Sequence, residues 1–231
     1  AGRKAAIKEH LEGWQLETGE RFAIPHDEPR RANPVLIRRK EATNLTFGWS
    51  MVVPRELTDE EADAMSALNH ILTGTMSSRI FGSARKKGLA YSIFSDTSVG
   101  FYDSAWDFGG QVNIDTAEKL FDIIVRELKR VLSGSISAED LESVKSYSLG
   151  RYQMGAQTVG QISNFYVGRY FADDFVRDYD GVPASILAVT SEQMIETARQ
   201  FFVADAWTLA AVSSDDKILL LKLFDKLSKL F

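Results

Sequence analysis

The chain has 231 residues, of which 45% are hydrophobic, 26% charged and 11% aromatic, proportions that belong to a globular protein and exclude a disordered chain or a coiled coil. A net charge of −5 argues against a nucleic-acid partner recognised by bulk charge, and the absence of cysteine excludes a disulfide framework, a thiol nucleophile and any cysteine-held metal. No apolar run reaches the roughly 18 residues of a membrane span. No apolar leader opens the chain, so a cytoplasmic location is expected. The first residue is Ala1 rather than methionine, as in a trimmed chain or an excised fragment.

Residues 3–12 are good helix formers and Gly13 stops them. The following stretch holds Pro25, Pro29 and Pro34 with little periodicity and reads as a linker over 15–33. Val35 to Arg38 is a short strand. From Asn44 to Met51, Leu45, Phe47, Trp49 and Met51 alternate with polar or small residues, which predicts a strand with one buried face and the other toward solvent or a cavity. Thr58-Asp-Glu-Glu61 is a capping box, opening a helix through Met65, Leu68 and Leu72 that Gly74 ends. One or two helical turns are expected over Ser77 to Ser83. Ala90–Ser98 and Phe101–Gln111 form a hairpin around Val99-Gly100.

Asp115-Thr-Ala-Glu118 is a second capping box, before a helix with Leu120, Phe121, Ile124, Leu128 and Val131 on one stripe; Gly134 closes it. Ser137 to Asp140 caps further helix that runs, interrupted at Gly150, Gly155 and Gly160, to about Phe171. Thr190-Ser-Glu-Gln193 is another box. Trp207 to Val212 is a last strand. A Leu-rich amphipathic helix occupies the C-terminal 214–231, with Ile218, Leu221, Leu227 and Leu230 on its expected docking stripe and Leu220, Leu223, Phe224 and Phe231 widening it, part of it toward a partner chain. Strand pairs separated by groups of helices predict an α+β fold: a two-layer sandwich of a mixed, mostly antiparallel sheet with helices on one face.

The chemistry is sparse. The three histidines, His10, His26 and His70, form no pair at helical spacing, and no nucleophile elbow, Walker loop or dinucleotide fingerprint occurs. The acid clusters Asp59-Glu60-Glu61, Asp173-Asp174 and Asp215-Asp216 read as helix-start charge, and Arg30-Arg31 and Arg38-Arg39-Lys40 as solvated faces. One segment differs. After Gly74-Thr-Met-Ser-Ser-Arg-Ile-Phe81, the run Arg85-Lys-Lys-Gly-Leu-Ala-Tyr91 leads into a strand. Gly88 breaks the helix, Tyr91 and Ile93 are expected on one sheet face, and Arg85, Lys86, Lys87 and the Tyr91 hydroxyl converge at the strand mouth. Donors so placed suit a peptide carbonyl or carboxylate.

This segment resembles the carboxyl-terminal half of the M16 zinc peptidases, the pitrilysin and mitochondrial-processing-peptidase-like family. The strand Leu45–Met51 and the helix starts at Asp115, Ile136 and Ala188 look like further landmarks of that family, so the resemblance covers residues 34–213. The opening Ile7 to Trp14 looks like the tail helix of a preceding half-domain, over residues 1–14. The resemblance implies a division of labour. One half carries H-x-x-E-H and zinc; the homologous second half carries none, supplies a sheet edge and closes over an extended peptide. This chain matches the second type, so it is expected to bind no metal and to be inactive alone. Its partner is then the catalytic half, in the same chain or a separate subunit. The resemblance assigns substrate binding to Tyr91. The family's arginine stands seven residues earlier, where this chain has Ala84; Arg85, one residue closer, replaces it if the turn shifts, and otherwise the arginine function is missing here. Arg79 is expected to tie the helix end to nearby carbonyls or carboxylates. The alternative is a structural or interaction subunit of the same fold with no peptidase role.

Overall fold

The computed structural model describes residues 2–13, 29–173, 176, 178–214 and 217–231. Most of the expected linker, with Trp14 and His26, lies outside the described residues, as do Asp174, Asp215 and Asp216. The helix α1 (Gly2–Leu11) has no buried residue.

Among the described residues five strands form one sheet, numbered along the chain: β1 (Val35–Arg38), β2 (Asn44–Val53), β3 (Ala90–Val99), β4 (Ser104–Asn113) and β5 (Trp207–Ser213). Their order across the sheet is β1-β5-β2-β4-β3. β1 is parallel to β5, and the other pairs are antiparallel. The alternation read in β2 holds: Leu45, Phe47, Trp49, Met51 and Val53 are buried, Thr46 and Gly48 exposed. Trp106, Phe108 and Val112 of β4 and Trp207, Leu209 and Ala211 of β5 extend the buried face. Trp49 stacks on Phe108 with ring centres 5.1 Å apart.

Helices cover that face. α2 (Asp59–Asn69), α4 (Ala117–Leu132), α8 (Ser191–Gln200) and α9 (Lys217–Leu227) send Met65, Leu68, Leu120, Phe121, Ile124, Met194 and Leu223 into one core. Phe121 meets Phe47 edge-on at 4.9 Å. The other face carries small or polar residues such as Thr46, Gly48, Ser50, Asp107 and Gln111, all exposed or half-buried. Three further helices, α5 (Ala138–Met154), α6 (Val159–Asp173) and α7 (Val182–Ala188), precede α8, and a short α3 (Phe81–Lys86) precedes β3.

Capping boxes form at Thr58, Ser137 and Thr190. The box expected at Asp115 does not. The chain leaves β4 through a 3-10 turn, Ile114–Thr116, and Thr116 turns its hydroxyl back to Asn113 O instead of forward to the helix amides. The turns expected at Ser77 start later, at Phe81, because Ser78 bonds backward to Thr75 O through both its N–H and its hydroxyl. In the C-terminal helix the buried stripe is Leu220, Leu223, Phe224 and Leu227, packed into this chain's own core, whereas Ile218 and Leu221 are exposed. Of the wide stripe expected, Leu227 and the widening residues Leu220, Leu223 and Phe224 dock, and Ile218 and Leu221 do not. Leu223→Ala should lower stability by about 2–5 kcal/mol, while Leu221→Ala should change it by less than about 1 kcal/mol. Urea unfolding of the two variants checks the assignment.

Glu61 carries a second function beyond its cap. Arg55 grips it with two hydrogen bonds, of 2.7 and 2.6 Å, and Gln200 of α8 donates to it at 3.2 Å. The Arg55 bonds, outweighing burial, pull its carboxyl from 4.5 down to about 2. Glu61 is thus ionised in the folded chain where the unfolded chain would protonate it. Its stabilisation is present above about pH 4.5 and is lost as the pH falls toward 2. Wild-type stability should fall across that window more steeply than that of Glu61→Gln, as measured by urea midpoints at stepped pH.

Candidate functional site

The site is built where β3 begins. Helix α3 ends in a Schellman turn, with Gly88 N–H donating to Arg85 O at 3.0 Å and Leu89 N–H to Ala84 O at 2.9 Å. Gly88 has φ +63°, a left-handed conformation that other residues enter only with Cβ strain. The reversal buries Leu89 and places Ala90 opposite Val112. The register then slips: Ser92 opposes Gln111, and Tyr91 is left as the extra residue of a β-bulge.

The bulge breaks the alternation of β3. Tyr91 is 78% exposed and Ile93 only 5%, so the two do not share a face as the sequence alternation predicts. Arg85, exposed in the last turn of α3, reaches back over the bulge. Its Nη1 donates to Tyr91 O at 3.4 Å and its Cζ lies 5.9 Å from the centre of the Tyr91 ring. Ala84 points the other way and is fully buried. Lys86 and Lys87 are exposed but stand outside the cleft.

Arg85 and Tyr91 line one side of an open cleft of about 540 Å³. Its other side comes from Asn44, Gln111 and Asn113, where Asn44 and Asn113 are paired across β2 and β4. Nothing in the sequence singles out these three amides, because strand register alone brings them beside Tyr91. The cleft lies at the end of the sheet. The outer side of β3 is not a free edge along its length: the Thr73 hydroxyl accepts the Ser95 N–H at 2.8 Å. The expected sheet edge is thus covered at Ser95 by the π-helical turn His70–Gly74, while Asn69, which accepts the Trp106 indole N–H, donates to the Thr97 hydroxyl on the buried side of the sheet at 3.0 Å.

That turn also explains His70 and Gly74. His70 Nδ1 donates to Ser66 O at 2.7 Å, and its ring lies against Tyr147 with centres 5.0 Å apart. A Cβ on Gly74 would stand 2.9 Å from the ring, so glycine is needed where the imidazole folds back. Arg79 behaves as the sequence suggests. It pairs with Asp140, the residue that closes the capping box of α5. Burial pushes the Asp140 carboxyl up, but hydrogen bonds from Arg79 and Ser137 outweigh it and hold the group below its ordinary range. Among the described residues no group of three or more His, Asp or Glu is placed to hold a metal ion. These residues do not fit a zinc site of their own.

The model of the Peptidase M16 inactive domain matches residues 4–147. The chain belongs to this family, and its α+β half-domain fold agrees. It is 26% identical over 200 residues to an uncharacterized zinc protease, YmxG, of Bacillus subtilis, covering 81% of this chain and 46% of that protein. A crystal structure of a protease from Helicobacter pylori superimposes with a TM-score of 0.73 at 19% identity, over 92% of this chain and 52% of that one. A peptidase M16 inactive domain from Pseudomonas fluorescens gives 0.72 at 16% identity, over 86% and 48%. The chain therefore spans about half the length of these relatives. No helix among the described residues is long and apolar enough to cross a membrane.

The turn that makes the site has a measurable cost for any side chain. Gly88→Ala should destabilise by about 1 kcal/mol or more. Gly150→Ala, inside α5 and with open space around its Cβ, should stabilise by about 0.5–1 kcal/mol. Thermal unfolding of the pair gives opposite signs if Gly88 is kept for its conformation.

Proposed function

We propose that this domain is the non-catalytic, substrate-binding half of a zinc-dependent peptidase of the M16 type. The observation that carries the reading is the bulge at Tyr91. It turns the Tyr91 ring out of the sheet on the rim of an amide-lined cleft, with the Arg85 guanidinium 5.9 Å from the ring centre. Family membership supports the division of labour. The partner half, bearing H-x-x-E-H, would hold the zinc that supplies Lewis-acid activation of the peptide carbonyl and of water. The residues of this chain do other work. The Tyr91 hydroxyl and the Arg85 guanidinium donate hydrogen bonds to the carbonyl oxygen of the bond to be cut, where negative charge develops. Asn44, Gln111 and Asn113 offer amide donors and acceptors to the neighbouring backbone of the peptide. Because the outer side of β3 is covered at Ser95, the peptide lies across the strand ends rather than as an added strand. The unburied α1 suits the tail of a preceding half-domain, and 34–213 the body of this one.

The test is Tyr91→Phe and Arg85→Ala in the complete peptidase. Tyr91→Phe keeps the ring and removes one donor, so folding should be unchanged. Loss of an oxyanion donor costs on the order of 10²–10³ in turnover; with zinc carrying most of the charge, about tenfold is expected here. Arg85→Ala should fall by a similar factor. Full activity of both variants on several peptides, with unchanged melting temperature, would overturn the reading in favour of a structural or interaction subunit.

A further inference from the structure

The parallel strand pair and the hairpins bring five chain segments to one end of the sheet. β1 and β5 end there, at Arg38 and Ser213, β4 ends at Asn113, and β2 and β3 begin at Asn44 and Ala90. The segments 38–44, 85–90 and 112–116 around that end carry six cations, Arg38, Arg39, Lys40, Arg85, Lys86 and Lys87, against two acids, Glu41 and Asp115; the segment after β5 adds Lys217 and, outside the described residues, Asp215 and Asp216. All six cations are exposed, and none makes an ion pair with another described residue. The opposite end is balanced: its segments 29–34, 52–56, 99–104 and 203–207 carry Arg30, Arg31 and Arg55 against Glu56, Asp103 and Asp205. In a chain of net charge −5 this is a concentrated positive edge.

The geometry of the edge matters. The cleft with Asn44, Asn113 and Tyr91 sits between the two basic groups, Arg85 to Lys87 on the β3 side and Arg38 to Lys40 on the β1 side. Five strands at about 4.8 Å spacing make the edge about 19 Å wide, the reach of an extended peptide of about six residues at 3.3 Å each. A path along the open face is disfavoured for an anion, because Asp96 and Asp107 stand opposite one another there across β3 and β4.

We propose that the peptides bound in this cleft are acidic, with carboxylates on both sides of the segment that Tyr91 and Arg85 hold. The inference rests on the peptide-binding reading above and adds the charge class of the peptide. Exposed cations of this kind act through summed field and faster encounter more than through any one contact, so the preference is distributed and salt-sensitive.

The experiment uses this chain and three short fluorescein-labelled peptides of equal length that differ only in carrying Glu, Gln or Lys. Fluorescence anisotropy gives affinities at low and physiological salt, and amide shifts in nitrogen-15 spectra give the place of binding. The Glu peptide should bind about tenfold tighter than the Gln peptide at low salt, with the advantage shrinking at higher salt. The Lys peptide should be weakest. The triple variant Arg39→Gln, Lys40→Gln, Lys87→Gln, which leaves every residue of the cleft in place, should lose a large part of the Glu advantage and keep the affinity for the Gln peptide. Equal binding of Glu and Gln peptides, with shifts at Gly88 and Tyr91, would overturn the acidic preference and leave the peptide site standing. No peptide shifting Gly88 or Tyr91 would overturn the site itself and the preference with it.

Discussion

The helices of this domain rest on the apolar face of β2, where Leu45, Phe47, Trp49, Met51 and Val53 fall on one side of a strand paired on both edges. A side-chain period of two leaves no choice of register: a slip of one residue would put these five in water and Thr46, Gly48 and Ser50 in the core. Burying a side chain of this size stabilises by about 1.5–3 kcal/mol, so a slipped β2 cannot compete. The positions of β4 and β5 follow from pairing with β2, and the helices follow from the face that the three strands make. One-sided burial also leaves the opposite face and the strand ends accessible, which is where the candidate site lies.

Two local devices shape the candidate site on that plain sheet. The Schellman turn at Gly88 reverses the chain between α3 and β3, and the bulge at Tyr91 adds one residue before regular pairing resumes. Either alone would place Tyr91 differently. Without the left-handed glycine, α3 would not return its last turn beside the strand, and Arg85 would not reach the Tyr91 ring. Without the bulge, Tyr91 would follow the pleat. The ion pair of Arg79 with Asp140 anchors the preceding turn to the start of α5, so the segment before the site is held from both sides. The site is thus a product of backbone conformation, with its side chains carried along.

Much of this was legible in the chain. The alternation in β2, the capping boxes at Thr58, Ser137 and Thr190, the glycine stops at Gly88 and Gly134, and the amphipathic helix after Asp115 are local patterns, and short-range sterics and hydrogen bonds decide them. Which side of the wide C-terminal stripe docks was not legible, because Ile218, Leu220, Leu221, Leu223, Phe224 and Leu227 surround the helix with apolar side chains. Contact with the core then selects Leu220, Leu223, Phe224 and Leu227. The absent box at Asp115 has the same character: the residue types fit, but the exit from β4 turns the hydroxyl of Thr116 backward.

By itself the sequence determined a one-sided α+β sandwich, a family resemblance centred on Gly74 to Ser95, and Tyr91 and Arg85 as the residues to watch. Tertiary structure decided which way they face. The slip at Tyr91 depends on how β3 meets β4, and a register between distant segments has no signature in either one. The amides of Asn44, Gln111 and Asn113, the cover over β3 from Thr73, and the gathering of six cations at one end of the sheet have the same origin. Residues far apart in the chain become neighbours only when strand order and direction are set, and burial of the apolar face of β2 is what sets them.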